Sequence, residues 1–237
     1  MENILANLNI QPLKEPRGFM KVLQFVFSIC AFATTVSYSS IFSFTVQCQG
    51  SKNATVVQEQ ITYPFRVDSI DTMYHYCNNS VSKVHIMGNF SSDSEFFVAI
   101  GVLAFLYSIA ALILYCFLSS LYDNDEKVPI LDFAIHVVLA FLWLAASSAW
   151  ASGLTNLKMA TSLDAIIEEN KEMCATNVCT PGKELAYSKL VISIIFGFLN
   201  LFLWASNLWF LYKETSYFKN KMNMAAGNGS TQPAGTA

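Results

Sequence analysis

The sequence predicts an all-α transmembrane fold, a four-helix bundle with a small disulfide-stapled β-rich loop. Three observations predict it. Four long runs, 22–42, 96–120, 133–150 and 190–212, contain no Lys, Arg, Asp or Glu. Hydrophobic residues make up 54% of the chain and charged residues 13%, against roughly one quarter charged in a soluble domain. The polar segments after the first and third runs each hold two cysteines, Cys48 with Cys77 and Cys174 with Cys179.

Residues 1–13 read as a short N-terminal segment, 14–215 as one membrane domain and 216–237 as a tail. Beyond residue 222 the tail is mostly Asn, Gly, Ser, Thr and Ala, with one proline, one methionine and one glutamine, too little apolar surface to order itself. The spans are expected at 20–43, 96–120, 130–151 and 190–212. A hydrocarbon core about 30 Å thick needs about 20 apolar residues as a helix. Backbone groups in lipid must pair internally, which makes helix the form for isolated apolar runs. The charge-free stretch 22–49 far exceeds the roughly 7–15-residue core of a signal peptide, so the first span is expected to stay.

Lys14, Arg17 and Lys21 precede the first span, and Lys213, Lys219 and Lys221 follow the fourth. The positive-inside bias therefore puts both termini in the cytosol. The first loop carries Asn-x-Ser/Thr sequons at Asn53, Asn78 and Asn89, which agrees, because such sites are modified in the lumen. Asn89 lies close to the second span, so Asn53 and Asn78 are better placed. Disulfides persist in the same oxidising compartment. Four cysteines allow three pairings; separate pairs, Cys48–Cys77 and Cys174–Cys179, are the simplest because each closes a local ring.

In the first loop, Phe42, Phe44, Val46 and Cys48 alternate, as do Val57, Glu59, Ile61 and Tyr63, with a third stretch at 82–87. This predicts a small antiparallel sheet stapled by Cys48–Cys77. In the second loop, Leu163, Ile166 and Ile167 are spaced for a short amphipathic helix starting near Ser162 or Asp164. The connection before Pro129 is short, so spans two and three are antiparallel neighbours, and Pro129 suits the first turn of the third.

Small and polar residues recur at helical spacing: Gly101, Ala104, Ser108 and Ala111 on span two, and Ala145, Ser148, Ala149 and Ser152 on span three. Gly197, Asn200, Trp204 and Asn207 line span four. In lipid such faces serve close packing and interhelical hydrogen bonds. They either pack the bundle itself or dock another membrane helix, and the span-four set is the candidate docking face. Asp132 and His136 share a face at the start of span three. A proton relay fits that spacing, but an acid in the first turn is also favoured by the helix dipole. Cys30 and Cys116 read as small core residues; Cys116 also suits palmitoylation. Leu118, Tyr122 and Lys127 fit the loose pattern proposed for cholesterol contact, as do Leu211, Tyr217 and Lys219.

A net charge of −3 excludes a basic nucleic-acid binder. No phosphate-cradling glycine loop, nucleophile elbow or intramembrane acid pair is present, so no catalysis is expected. His75 and His85 flank Cys77, whose sulfur a disulfide claims. No metal or cofactor is expected.

Several motifs resemble the synaptophysin family. Lys14-Glu15-Pro16-Arg17-Gly18-Phe19-Met20-Lys21-Val22-Leu23 is similar to that family's entry to span one. Tyr63-Pro64-Phe65-Arg66 and Ser94-Glu95-Phe96-Phe97-Val98 resemble the first loop and the start of span two. Ser147-Ser148-Ala149-Trp150-Ala151 with Gly153-Leu154 resembles the end of span three. Phe196-Gly197-Phe198-Leu199-Asn200, Trp204-Ala205-Ser206-Asn207-Leu208-Trp209-Phe210 and Lys213-Glu214-Thr215 resemble span four and its exit. The short tail and Leu8-Asn9-Ile10-Gln11-Pro12-Leu13 resemble the broadly expressed, synaptophysin-like branch. The resemblance implies a MARVEL-type bundle with cytosolic ends and one disulfide per lumenal loop. It also implies residence in transport, secretory or synaptic vesicles. Its implied partners are cholesterol, a synaptobrevin-type vesicle SNARE and further copies of the chain. The function expected is vesicle formation, sorting and trafficking; an oligomeric channel or transporter subunit is the alternative. A third reading is a cell-junction strand protein of the claudin kind, but the Trp-rich first-loop motif characteristic of that family is absent, since no Trp lies before span three.

Overall fold

A computed structural model describes residues 14–50, 54–77, 80–117, 127–175 and 177–215, together with Met224. The sequons at Asn53 and Asn78, the connection 118–126, Lys219, Lys221 and the tail lie outside the described residues. So does part of each proposed cholesterol pattern.

In chain order the elements are α1 (Pro16–Val36), β1 (Ser39–Gln47), β2 (Ala54–Thr62), β3 (Met73–Tyr76), β4 (Ser80–Lys83), α2 (Ser91–Phe117) and α3 (Lys127–Ala160). Then come α4 (Leu163–Glu169), α5 (Lys171–Cys174), β5 (Val178–Pro181) and α6 (Ser188–Glu214). Four of the helices, α1, α2, α3 and α6, are long and apolar enough to cross a membrane.

Their outward side chains are apolar, and polar side chains share the interior with apolar ones. The buried face of α1 carries Lys21, Gln24, Ser28 and Thr35, all fully buried, while Phe19, Val26 and Val36 face outward. Phe141, Phe202, Ile195 and Leu106 are likewise exposed, whereas Ser108, His136, Asn200 and Asn207 are fully buried. In lipid this is the stable arrangement, because polar atoms find partners only inside the protein.

The chain divides into two compact units. The first is built from Met1–Ser28, Leu103–Trp143 and Leu199–Ala237, the second from Ile29–Val102 and Leu144–Phe198.

The second unit contains both sheets. β1 pairs antiparallel with β2 in the register Phe44↔Val57, and with β5 in the register Val46↔Cys179. β3 and β4 form a separate hairpin. The predicted alternation holds for two of the three stretches, since Phe42, Phe44 and Val46 of β1 and Val57 and Ile61 of β2 are buried; the third, 82–87, does not join that sheet, because β4 ends at Lys83 and pairs with β3. Disulfides join Cys48 to Cys77 and Cys174 to Cys179. On the outer edge of β2, the Tyr74 hydroxyl accepts from Gln58 N (3.3 Å) and donates to Gln58 O. Both exposed backbone groups at mid-strand are thus occupied, a device that blunts edge-to-edge pairing.

The motif Tyr63-Pro64-Phe65-Arg66 makes a plug in the same unit. Its Tyr63–Pro64 bond is cis and Phe65 sits at φ 69°. Phe65 is fully buried, with its ring 5.2 Å from that of Trp150 and 5.5 Å from that of Tyr38. An L-residue at positive φ is uncommon and persists only where surroundings over-determine it.

Three expectations are corrected. The first helix ends at Val36, not near 43, because the apolar run continues into β1, where the period changes from helical to alternating. The third helix runs on to Ala160, with Leu154 and Leu157 buried, so its last turns are held by packing after the apolar run ends. The second loop adds a strand, β5, to the first loop's sheet. The short amphipathic helix is present as α4, capped by Ser162 Oγ accepting from Ala165 N at 3.3 Å.

Candidate functional site

The first unit encloses a buried ionic centre. Lys21 is fully buried and Asp132 is 5% exposed. Their side chains meet at 3.2 Å, Nζ to Oδ1. α1 brings Lys21 inward because Lys21, Gln24 and Ser28 recur at helical spacing on its inner face. α3 brings Asp132 and His136 from one face, a turn apart.

His136 is fully buried. Its Nε2 lies 2.7 Å from Lys21 Nζ and 3.2 Å from Asn207 Nδ2. Its Nδ1 lies 2.8 Å from the Asp132 carbonyl oxygen and 3.1 Å from Asp132 Oδ1. An ammonium has donors and no acceptor. Nε2 therefore accepts from Lys21, and Nδ1 carries the hydrogen.

The Asp132 carboxylate is heavily subscribed. The hydroxyls of Tyr107 and Tyr115 on α2 both donate to it, besides Lys21. The Lys21 ammonium is also surrounded by aromatic faces, 4.6 Å from the Tyr107 ring centroid and 5.6 Å from that of Trp204. The imidazole of His136 lies 4.7 Å from the Trp204 ring. One positive and one negative charge thus cancel inside a shell of aromatic rings. Such a pair breaks even only when its remaining polar atoms are bonded, and here the tyrosines and histidine supply those bonds.

The network continues along α1 and α6. Gln24 Nε2 donates to the Leu203 carbonyl at 3.4 Å, and Ser28 Oγ, which donates to the Gln24 carbonyl at 2.5 Å, lies 3.5 Å from Asn200 Oδ1. Gln24 Oε1, Asn207 Oδ1 and Trp204 Nε1 are buried without a hydrogen-bond partner among the described residues. No three His, Cys, Asp or Glu side chains converge to hold a metal ion among the described residues.

The expected docking face is corrected by this arrangement. Gly197 is buried, and Asn200, Trp204 and Asn207 are fully buried. A Cβ on Gly197 would lie 2.5 Å from Ser147 Oγ and 2.6 Å from Phe97 Cε2, so the glycine is needed for close approach. These residues are spent inside the protein, and a partner helix has no access to them. The stripe Ala145, Ser148, Ala149 and Ser152 is not the packing face of α3; Ala146, Ser147, Trp150 and Gly153 are buried instead.

Cys116 is buried and Cys30 half-buried. Asn89 is exposed two residues before Ser91, which opens α2, and its Oδ1 accepts from Ser91 N at 3.1 Å. Lys21, counted in sequence as a flanking charge, is the centre's cation. Tyr107 and Tyr115 gave no sequence signal. The signal for Lys21 was present: Lys21, Gln24, Ser28 and Thr35 follow helical spacing through the first span.

Four helices long and apolar enough to cross a membrane, buried polar side chains, disulfide-stapled loops and an apolar exterior define a multi-pass membrane protein. The family described as MARVEL, a membrane-associating domain, matches residues 12–210. The chain belongs to that family.

Proposed function

We propose that the protein is a non-catalytic organiser of transport vesicles, acting in vesicle formation, sorting and trafficking. In this reading it sits in the vesicle membrane with both termini cytosolic and both loops lumenal. It carries glycans at Asn78 or Asn53, self-associates, and gathers cholesterol and a synaptobrevin-type vesicle SNARE. The observation that carries the reading is the distribution of polarity. Lys21, Gln24 and Ser28 of α1 and Asn200 and Asn207 of α6 are turned inward, and the outward surface offers bulky apolar side chains such as Phe141 at 69% and Phe202 at 66% exposure. A surface of that kind works laterally, on lipid and on other helices. Membership of a membrane-associating family supports it.

The test is photo-crosslinking in intact vesicles, with a photoreactive residue at Phe141 or Phe202. SNARE and sterol adducts are expected. Adducts with bulk phospholipid alone from both positions would overturn the partner assignment.

A second reading, an oligomeric channel or transporter subunit, is favoured by the buried Lys21, Asp132 and His136. Ionisable groups within a span mark ion or proton pathways often enough to be tested. Purified protein in planar bilayers would conduct, and Asp132→Asn would abolish the current. Silent bilayers containing folded protein would remove this reading.

A further inference from the structure

We propose that His136 Nε2 is a proton-binding site whose occupation displaces Lys21 and uncouples α1 from α3. With Nε2 unprotonated, the site holds one ammonium, one carboxylate and one neutral imidazole. The 2.7 Å contact from Lys21 Nζ to Nε2 fixes the imidazole as acceptor there. The groups facing His136 can be named helix by helix. From α1 comes Lys21, and from α2 come Tyr107 and Tyr115, whose hydroxyls donate to Asp132. Asp132 lies on its own helix, and α6 contributes Asn207 and Trp204, which do not ionise.

The step is a simple proton uptake. A proton from water adds to the Nε2 lone pair, an N–H bond forms, and the hydrogen bond from Lys21 to Nε2 is lost. No group leaves and no electron is transferred. The new N–H then points at an ammonium that has no lone pair, and two cations face a single carboxylate. Lys21 is the member that moves, since its charge sits on a flexible four-carbon stem while the ring is held at Nδ1.

Two buried oxygens with no partner among the described residues suit the product state. Rotation of the Asn207 amide would bring Oδ1 to the new Nε2–H, because Nδ2 is already 3.2 Å away. Gln24 Oε1, one turn along the inner face of α1, is an acceptor for the displaced ammonium. Among the described residues neither oxygen has a partner while His136 is neutral, and each is placed to gain one when it is charged.

The experiment uses the full chain in lipid nanodiscs. Nitrogen NMR of labelled histidine reads the tautomer and titration of His136. In parallel, spin labels introduced as unnatural amino acids at Phe19 on α1 and Leu131 on α3, both outward-facing, read the helix separation. The expected result is an Nδ1–H tautomer at high pH, then one protonation step with a change in label distance at the same midpoint. His136→Gln, verified as folded by its monodisperse profile, is expected to lose that distance step. An Nε2–H tautomer at high pH would overturn the proposal, and this readout needs no variant. Protonation without a distance change, or an unaltered distance step in His136→Gln, would overturn it equally.

Discussion

Asn170 holds the backbone of His85 at both ends: its Oδ1 accepts from His85 N and its Nδ2 donates to His85 O, each at 2.8 Å. Nδ2 also donates to the Ile166 carbonyl at 2.7 Å. The amide thus replaces a strand partner for the extended segment ahead of α2 and ties it to the α4–α5 junction. Asn170→Asp keeps the shape but turns a donor into an acceptor facing two carbonyls. A loss of about 2–3 kcal/mol is expected for unmaking buried hydrogen bonds of this kind. Hydrogen exchange over residues 84–90 should speed up locally, and unchanged protection would refute the clamp.

Breaking the Lys21–Asp132 pair is expected to cost more than removing it. Lys21→Met leaves the Asp132 carboxylate buried with its counter-charge gone, a loss of about 3–5 kcal/mol. Asp132→Leu strands the ammonium in the same way. The double variant should recover much of this, since two apolar side chains leave no unpaired charge. A thermal-stability cycle in detergent checks it, and strictly additive losses would show that the two side chains act independently.

Gly197→Val should destabilise the second unit by about 1–3 kcal/mol through overpacking. Both neighbours that its Cβ would strike, Ser147 and Phe97, are fully buried and cannot withdraw. Pairing Gly197→Val with Phe97→Leu should restore part of the loss in a thermal melt.

The two disulfides should differ in worth. Cys48–Cys77 closes 29 residues and Cys174–Cys179 closes 5. In the chain-entropy relation these correspond to about 3.5 and about 2 kcal/mol. Cys48→Ser is therefore the more damaging change, and its product should be retained in the endoplasmic reticulum more fully than that of Cys174→Ser. Equal delivery of both variants, followed by microscopy, would show that ring length does not govern the loops.

How much of this was legible in the sequence depends on the range of the interaction. Charge-free runs revealed four spans, because a bilayer filters by composition over about 20 residues. Alternation revealed β1 and β2, since period two is written locally. The end of α1 was misplaced because hydropathy does not register a change of period within one apolar run. β5 was missed because it is too short to show alternation and gains its meaning only beside β1.

The candidate site divides the same way. Asp132 and His136 were visible as neighbours on one helix. Their cation was hidden among flanking charges, since Lys21 becomes a partner only when α1 packs against α3. Asn200 and Asn207 stood out as polar residues on one face of span four, and both prove to be buried inside the protein, Asn207 against His136.

By itself the sequence determined that this chain spans a membrane four times, where its cysteines fall, and which short segments alternate. Those properties follow from local composition and period. Only the tertiary structure decided which polar residues meet, because a buried charge chooses its partner through three-dimensional packing. In lipid that choice has no substitute, since water is not there to stand in for a missing partner.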